Sequence, residues 1–104
     1  MADPMKIRAN LVGDSTEVKV LMNHEMETGQ RKDAQGKTIP AWFIQSVTAT
    51  YGNRTVLAAQ WGPAVSKNPF LSFKFKGGAK GEKVLVTWTD TRGDTRTDEA
   101  TIAG

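Results

Sequence analysis

The sequence predicts an all-β fold: an immunoglobulin-like β-sandwich of about seven antiparallel strands, one domain spanning residues 1–104. Three observations predict it. Apolar residues alternate with polar ones at period two in short runs, as in strands that bury one face. Turn-forming residues punctuate those runs at regular intervals. No stretch carries the i, i+3, i+4 apolar spacing of an amphipathic helix. The 104 residues suffice for one core and leave no room for a second. Apolar residues make up 38% and charged residues 24%, which fits a folded chain, and no apolar run nears the roughly 20 residues of a membrane-spanning helix.

Taken in order, "KIRANLVG" sets Ile7, Ala9 and Leu11 on one face, and "EVKVLM" sets Val18, Val20 and Met22 against Glu17 and Lys19, with "GDST" as the turn between them. The polar stretch "NHEMETGQRKDAQGKT" then reads as a long loop. Connections above about 12 residues are uncommon in compact domains unless they have a function, so this loop is the first candidate site. "IPAWFIQSVTATYGNRTVLAAQW" reads as two strands joined at Gly52-Asn53. Strict alternation makes both of them apolar on both sides: Trp42 and Ile44 alternate with Phe43 and Val47, and Leu57 and Trp61 with Val56 and Ala58. One side would face the core and the other a protein partner. "WGPAVSKNPF" is a second loop, stiffened by Pro63 and Pro69. "FLSFKFK" turns Leu71, Phe73 and Phe75 inward, "GGAKGE" turns the chain, and "KVLVTWTD" lines up Val84, Val86 and Trp88. "TRGD" makes a last hairpin into "TRTDEATIA", whose charges suit a sheet edge. A Greek-key barrel is the competing architecture.

Motifs of catalysis fail on inspection. "HEMET" begins like the zinc-protease signature H-E-x-x-H, but Thr28 stands where the second histidine belongs, His24 is the only histidine, and there is no cysteine. "GKT" at Gly36–Thr38 lacks the earlier glycine of a phosphate loop, Arg31 occupying that position. In "FKFKGG" the rings and the lysines alternate to opposite faces, so they do not form one nucleic-acid surface. None of Ser15, Ser46, Ser66 and Ser72 sits in a nucleophile elbow. Glu25 and Glu27 read as a solvated charged loop, and Asn53-Arg54-Thr55 matches the glycosylation sequon at chance level. The residues predict a protein that is not an enzyme and holds no metal or cofactor. Fourteen basic against eleven acidic residues give a formal charge of +3, mildly favouring an anionic partner and otherwise a mixed, solvated surface. "MADPMKIRAN" has no basic stretch followed by an apolar one, so no export signal is expected, which by itself would place the chain in the cytoplasm.

The segments "HEMETGQRKD", "IPAWFIQ", "AQWGPAVSKNPFL", "FKFKGG" and "VTWTDTRGDTRTDEATIA" together resemble the SoxZ family of sulfur-oxidation proteins over nearly the whole chain, with Glu25 where the family often carries a proline. The resemblance implies a heterodimer with SoxY. SoxY bears a cysteine on a flexible arm and holds thiosulfate-derived intermediates covalently while other enzymes act on them. The SoxZ subunit supplies no catalytic group. It also implies work in the periplasm, reached by co-export with a signal-bearing SoxY, and transient docking with other Sox enzymes. No nucleic acid or membrane is implied.

Within that frame "HEMETGQRKD" is expected to be a recognition loop. Met26 would supply adaptable apolar contact, and His24, Glu27, Arg31 and Lys32 polar register around it. Trp42, Phe43, Val56 and Trp61 are the candidate anchors of the subunit contact, because large aromatics dominate binding energy once desolvated. Without SoxY, the chain could pair with itself. The alternative is a stand-alone basic β-domain that binds nucleic acid or another anionic ligand.

Overall fold

A computed structural model describes residues 4–62 and 64–104; Pro63 of the second loop lies outside the described residues. Among them there is no helix, and seven strands follow in order: β1 (Lys6–Val12), β2 (Ser15–Leu21), β3 (Ile44–Tyr51), β4 (Arg54–Gln60), β5 (Phe70–Lys76), β6 (Lys83–Asp90) and β7 (Thr95–Ala103). Each hairpin predicted from turn residues is present, and the fold is all-β as expected. Hydrogen bonding links the strands in the order β4-β3-β6-β7-β1-β2-β5. Five of the six pairings are antiparallel; β1 and β7 meet in parallel, only at Ala9–Ile102 and Asn10–Ala103. That short seam joins a β4-β3-β6-β7 layer to a β1-β2-β5 layer, which close over one core.

Val18 and Val20 from one layer meet Ile44, Val47, Val84, Val86 and Trp88 from the other, all 2% exposed or less. Full burial of a side chain of this size stabilises by about 1.5–3 kcal/mol before entropy is counted. At one end the outermost strands touch: the Arg54 guanidinium donates to the Lys76 carbonyl at 2.6 Å and lies 5.5 Å from the Phe75 ring. Gly78 makes the close turn after β5 at φ +97°, where a Cβ would stand 2.1 Å from Thr16 Oγ1. The molecule is long, 53 × 20 × 20 Å, and its radius of gyration of 15.5 Å exceeds the about 13 Å usual for this length.

The apolar outer face expected on the third and fourth strands is absent, for a specific reason. β3 carries an extra residue, Gln45, between the pairs Ile44–Asp90 and Ser46–Thr89. β4 carries another, Val56, between Thr55–Thr50 and Leu57–Ala49. Each bulge shifts the alternation by one residue. Ile44 and Val47 therefore share the core side, and Val56 and Leu57 both pack against the core. The outer face that results is built of Ser46, Thr48, Thr50, Thr87 and Thr97, with the partly exposed Leu85 beside Thr50 and the Thr87 and Thr97 hydroxyls 2.8 Å apart.

Candidate functional site

At one end of the sandwich three connections converge: residues 22–43, the described residues of the 61–69 loop and the 90–95 turn. Asp90, the last residue of β6, is fully buried there. Its Oδ1 accepts the Arg92 and Asp94 amides at 2.9 and 3.0 Å. Its Oδ2 accepts His24 Nε2–H at 3.0 Å and Trp42 Nε1–H at 2.7 Å. Burial pushes the Asp90 carboxyl up, but the bonds from His24, Trp42 and the two amides outweigh it and hold the group below the ordinary carboxylate range.

His24 is the hub's second member. Its Nδ1 accepts the Met26 amide at 3.0 Å, so Nδ1 carries the lone pair and Nε2 the hydrogen. Its ring packs against Trp42 (4.8 Å) and edge-on to Trp88 (5.2 Å), and its side chain is 2% exposed. With both ring nitrogens hydrogen-bonded and both side chains buried, this His–Asp pair fastens the loop. The Arg92 guanidinium lies over Trp42 at 4.1 Å and closes the stack from outside.

Met26 has φ +52°, a left-handed backbone that a non-glycine residue adopts only when its surroundings impose it. Its sulfur accepts the Ile44 amide at 3.3 Å. Asn68, also at φ +52°, ties in the second loop: its amide donates to the His24 carbonyl at 2.9 Å and its Oδ1 accepts the His24 amide at 3.1 Å.

The stretch after Glu27 forms a two-stranded arm. Glu27 pairs with Trp42 and Lys32 with Thr38, the Ile39 amide donates to the Arg31 carbonyl at 2.7 Å, and Asp33 closes the tip by accepting the Gln35 and Lys37 amides. Both sides of the arm are solvated, so its sequence has no apolar alternation to betray it. Arg31 grips Glu27 with two hydrogen bonds, one of them Nε to Oε1 at 3.0 Å. That grip, over the opposing effect of burial, holds the Glu27 carboxyl below its ordinary range. Beside the arm's root a hollow runs between Met26, Thr28 and Arg31 on one side and Val65 and Lys67 on the other, spanned by the Lys67–Glu25 ion pair at 3.3 Å.

The expected recognition residues thus divide. His24, Met26 and Glu27 are buried, at 4, 4 and 8% exposure, and shape the loop from inside, whereas Arg31 and Lys32 are exposed on the arm. Phe43 and Trp61 come together, half-buried, in a shallow hollow with Gln45 and Gln60. Trp42 belongs to the Asp90 hub, and Val56 sits near the Gly52–Asn53 turn at the far end of β4. Sequence reasoning missed Asp90, Arg92 and Asn68. Asp90 precedes Thr-Arg-Gly-Asp, a run whose turn geometry suits an aspartate that accepts amides two and four residues on. Nothing local marks the link from Asp90 to His24, 66 residues away.

Among the described residues, no group of three or more His, Cys, Asp or Glu side chains is placed to hold a metal. No curated protein matches the chain. Among solved structures it is similar to a superoxide reductase in the oxidised state, with TM-score 0.60 and 14% identity over 96% of this chain and 87% of that one. It is also similar to the E12V superoxide reductase (neelaredoxin) from Archaeoglobus fulgidus in the reduced form, with TM-score 0.54 and 18% identity over 96% and 86%. At such identities the likeness is one of fold alone. The family model described as "Sulphur oxidation protein SoxZ" matches residues 5–101, nearly the whole described sandwich, and the chain belongs to that family.

Proposed function

We propose that this chain is the non-catalytic subunit of a sulfur-carrier heterodimer in thiosulfate oxidation. Its partner is SoxY, whose cysteine arm bears the covalent sulfur intermediates, and it offers a surface to the enzymes that visit them. The family match over residues 5–101 carries this reading. Two features support it: no cysteine exists on this chain to hold sulfur, and both nitrogens of its one histidine are taken up in fastening the loops. The contribution is mechanical. A rigid sandwich gives the carrier arm a fixed root, and loops locked by the Asp90 hub hold the contact surface in one shape, which lowers the ordering cost of binding.

For the SoxY contact we favour the loop end, with Phe43 and Trp61 as apolar anchors and the arm bearing Arg31 and Lys32 at its rim. The complex would act in the periplasm, this chain travelling there bound to exported SoxY.

The test is co-expression with SoxY, thiosulfate turnover by the reconstituted pathway, and intact-mass measurement of each chain. Sulfur adducts are expected on SoxY alone, in a one-to-one complex that survives high salt. An adduct on this chain, or no complex at micromolar mixing, overturns the reading.

A further inference from the structure

The basic residues that look scattered along the sequence are gathered by the fold onto the outer face of the β1-β2-β5 layer. Strand register places Arg8 beside Lys19 and Ser72, Asn10 beside Glu17 and Lys74, and Val12 beside Ser15 and Lys76. Cross-strand partners share a face, and these positions are exposed or half-exposed whereas their alternates Ala9, Val18, Val20 and Phe75 lie in the core. Lys6 completes the set at one end. Five cations thus face one carboxylate, a surplus of four that exceeds the formal +3 of the whole chain. Lys19 pairs with Glu17 at 3.7 Å, and among the described residues Lys6, Arg8, Lys74 and Lys76 enter no ion pair. The opposite outer face carries the threonine rows, and its Lys83 and Glu99 neutralise each other at 3.0 Å.

The cationic face also has an apolar end. The row Lys6–Leu21–Phe70 exposes Leu21 at 42% and Phe70 at 63%, and these two side chains line a shallow depression with Ile7, Lys6, Arg8 and Lys19. An exposed ring and leucine ringed by cations match the anatomy of a protein interface, in which an apolar anchor is desolvated inside a charged rim.

We propose that this face docks an acidic protein, one presenting carboxylates around an apolar residue that covers Phe70 and Leu21. Charge complementarity selects that occupant. A continuous polyanion would lay phosphates against Glu17 in the middle of the face, and it would find a single ring on which to stack a base. A folded partner with a mixed surface can set a cation opposite Glu17 and carboxylates opposite its neighbours. The cations lie over three strands in two dimensions, rows about 7 Å apart and strands about 5 Å, a pattern suited to a patch rather than a line. This inference goes beyond pairing with SoxY, because the face is the outer surface of the β1-β2-β5 layer and includes none of the residues assigned to the SoxY contact.

The experiment uses the complex with SoxY, immobilised through SoxY, and passes over it the purified enzymes that act on SoxY-borne sulfur, each alone. The variant is Arg8→Glu with Lys19→Glu, both exposed. Binding of at least one acidic enzyme is expected to weaken about tenfold or more between about 20 and about 200 mM salt, as the screening length falls from about 20 to about 7 Å. The variant should weaken it by a similar factor while its melting temperature and retention by SoxY stay unchanged. A carbodiimide, which joins an amine to a carboxylate in contact with it, should link Lys19 or Lys74 to that enzyme. The proposal is overturned if no enzyme responds to the double variant, or if the cross-links run to SoxY itself. It is equally overturned if oligothymidylate or phosphatidylglycerol vesicles bind more tightly than every enzyme and lose binding in the variant. Failure to retain SoxY in the unmodified complex would instead strike the carrier-subunit reading.

Discussion

Asp90 shows how much of the loop end hangs on one side chain. Its two oxygens take four donors, two from the 22–43 connection and two from the 90–95 turn. In Asp90→Asn an amide NH2 must face either the His24–Trp42 pair or the two backbone amides, so two donors lose their acceptor whichever way the group is turned. The expected cost is about 3 kcal/mol, a fall in melting temperature of more than about 10 °C for a chain of this size. Trp42→Phe keeps the ring under Arg92 and removes one donor, for about 1 kcal/mol. Thermal melts of both variants check this ranking, and an Asp90→Asn melt within a degree or two of the parent would show that the carboxylate does not hold the hub.

At the level of elements, Gly78 is the position where the β5–β6 connection has least freedom. An alanine there keeps the unfavourable φ of +97° and drives its methyl into Thr16 Oγ1, which itself holds the Gly77 carbonyl at 2.8 Å. Gly78→Ala is expected to destabilise by about 2–4 kcal/mol in urea unfolding. Measured against Thr16→Ala alone, which already lacks the bond to Gly77, Gly78→Ala should cost less than in the parent but still about 1 kcal/mol or more for the backbone, and no cost at all there would refute the φ contribution. The elements were also where sequence and structure parted. Strand positions and hairpins were legible, because alternation and turn residues are local signals: Val84, Val86 and Trp88 face inward as their spacing predicts. The bulges at Gln45 and Val56 were not legible, since an inserted residue reads as a second apolar face until the partner strand's register is known. For the same reason the arm looked like unstructured loop: backbone pairing between Lys32 and Thr38 leaves no mark on side-chain pattern. Of the candidate site, the segment was found and its inner logic was not, because Asp90 reaches His24 across most of the chain.

For the whole molecule, carboxylates bound by donors set the response to acid. Arg96 hydrogen bonds, exceeding the effect of burial, hold the Asp98 carboxyl below its ordinary value of 3.8, as the hub does for Asp90. Both groups are ionised in folded and unfolded chains at neutral pH, and their stabilisation is then complete. As pH falls through the ordinary carboxylate value the unfolded chain takes up protons first; the contribution drains away and is gone once the folded-state carboxyls protonate. Urea unfolding should therefore give nearly equal stability at about pH 7 and about pH 5, then a steep loss below about pH 4. A steep loss already between neutrality and about pH 5 would mean that other groups control it. The separation of charge between the two outer faces has its own dynamic result. A body positive on one flank and neutral on the other experiences a torque in the field of an oppositely charged protein, so it rotates during approach and arrives lysine side foremost. Collisions with the acidic partner proposed above would then begin near the docking orientation, leaving the threonine flank turned toward water and free for another contact.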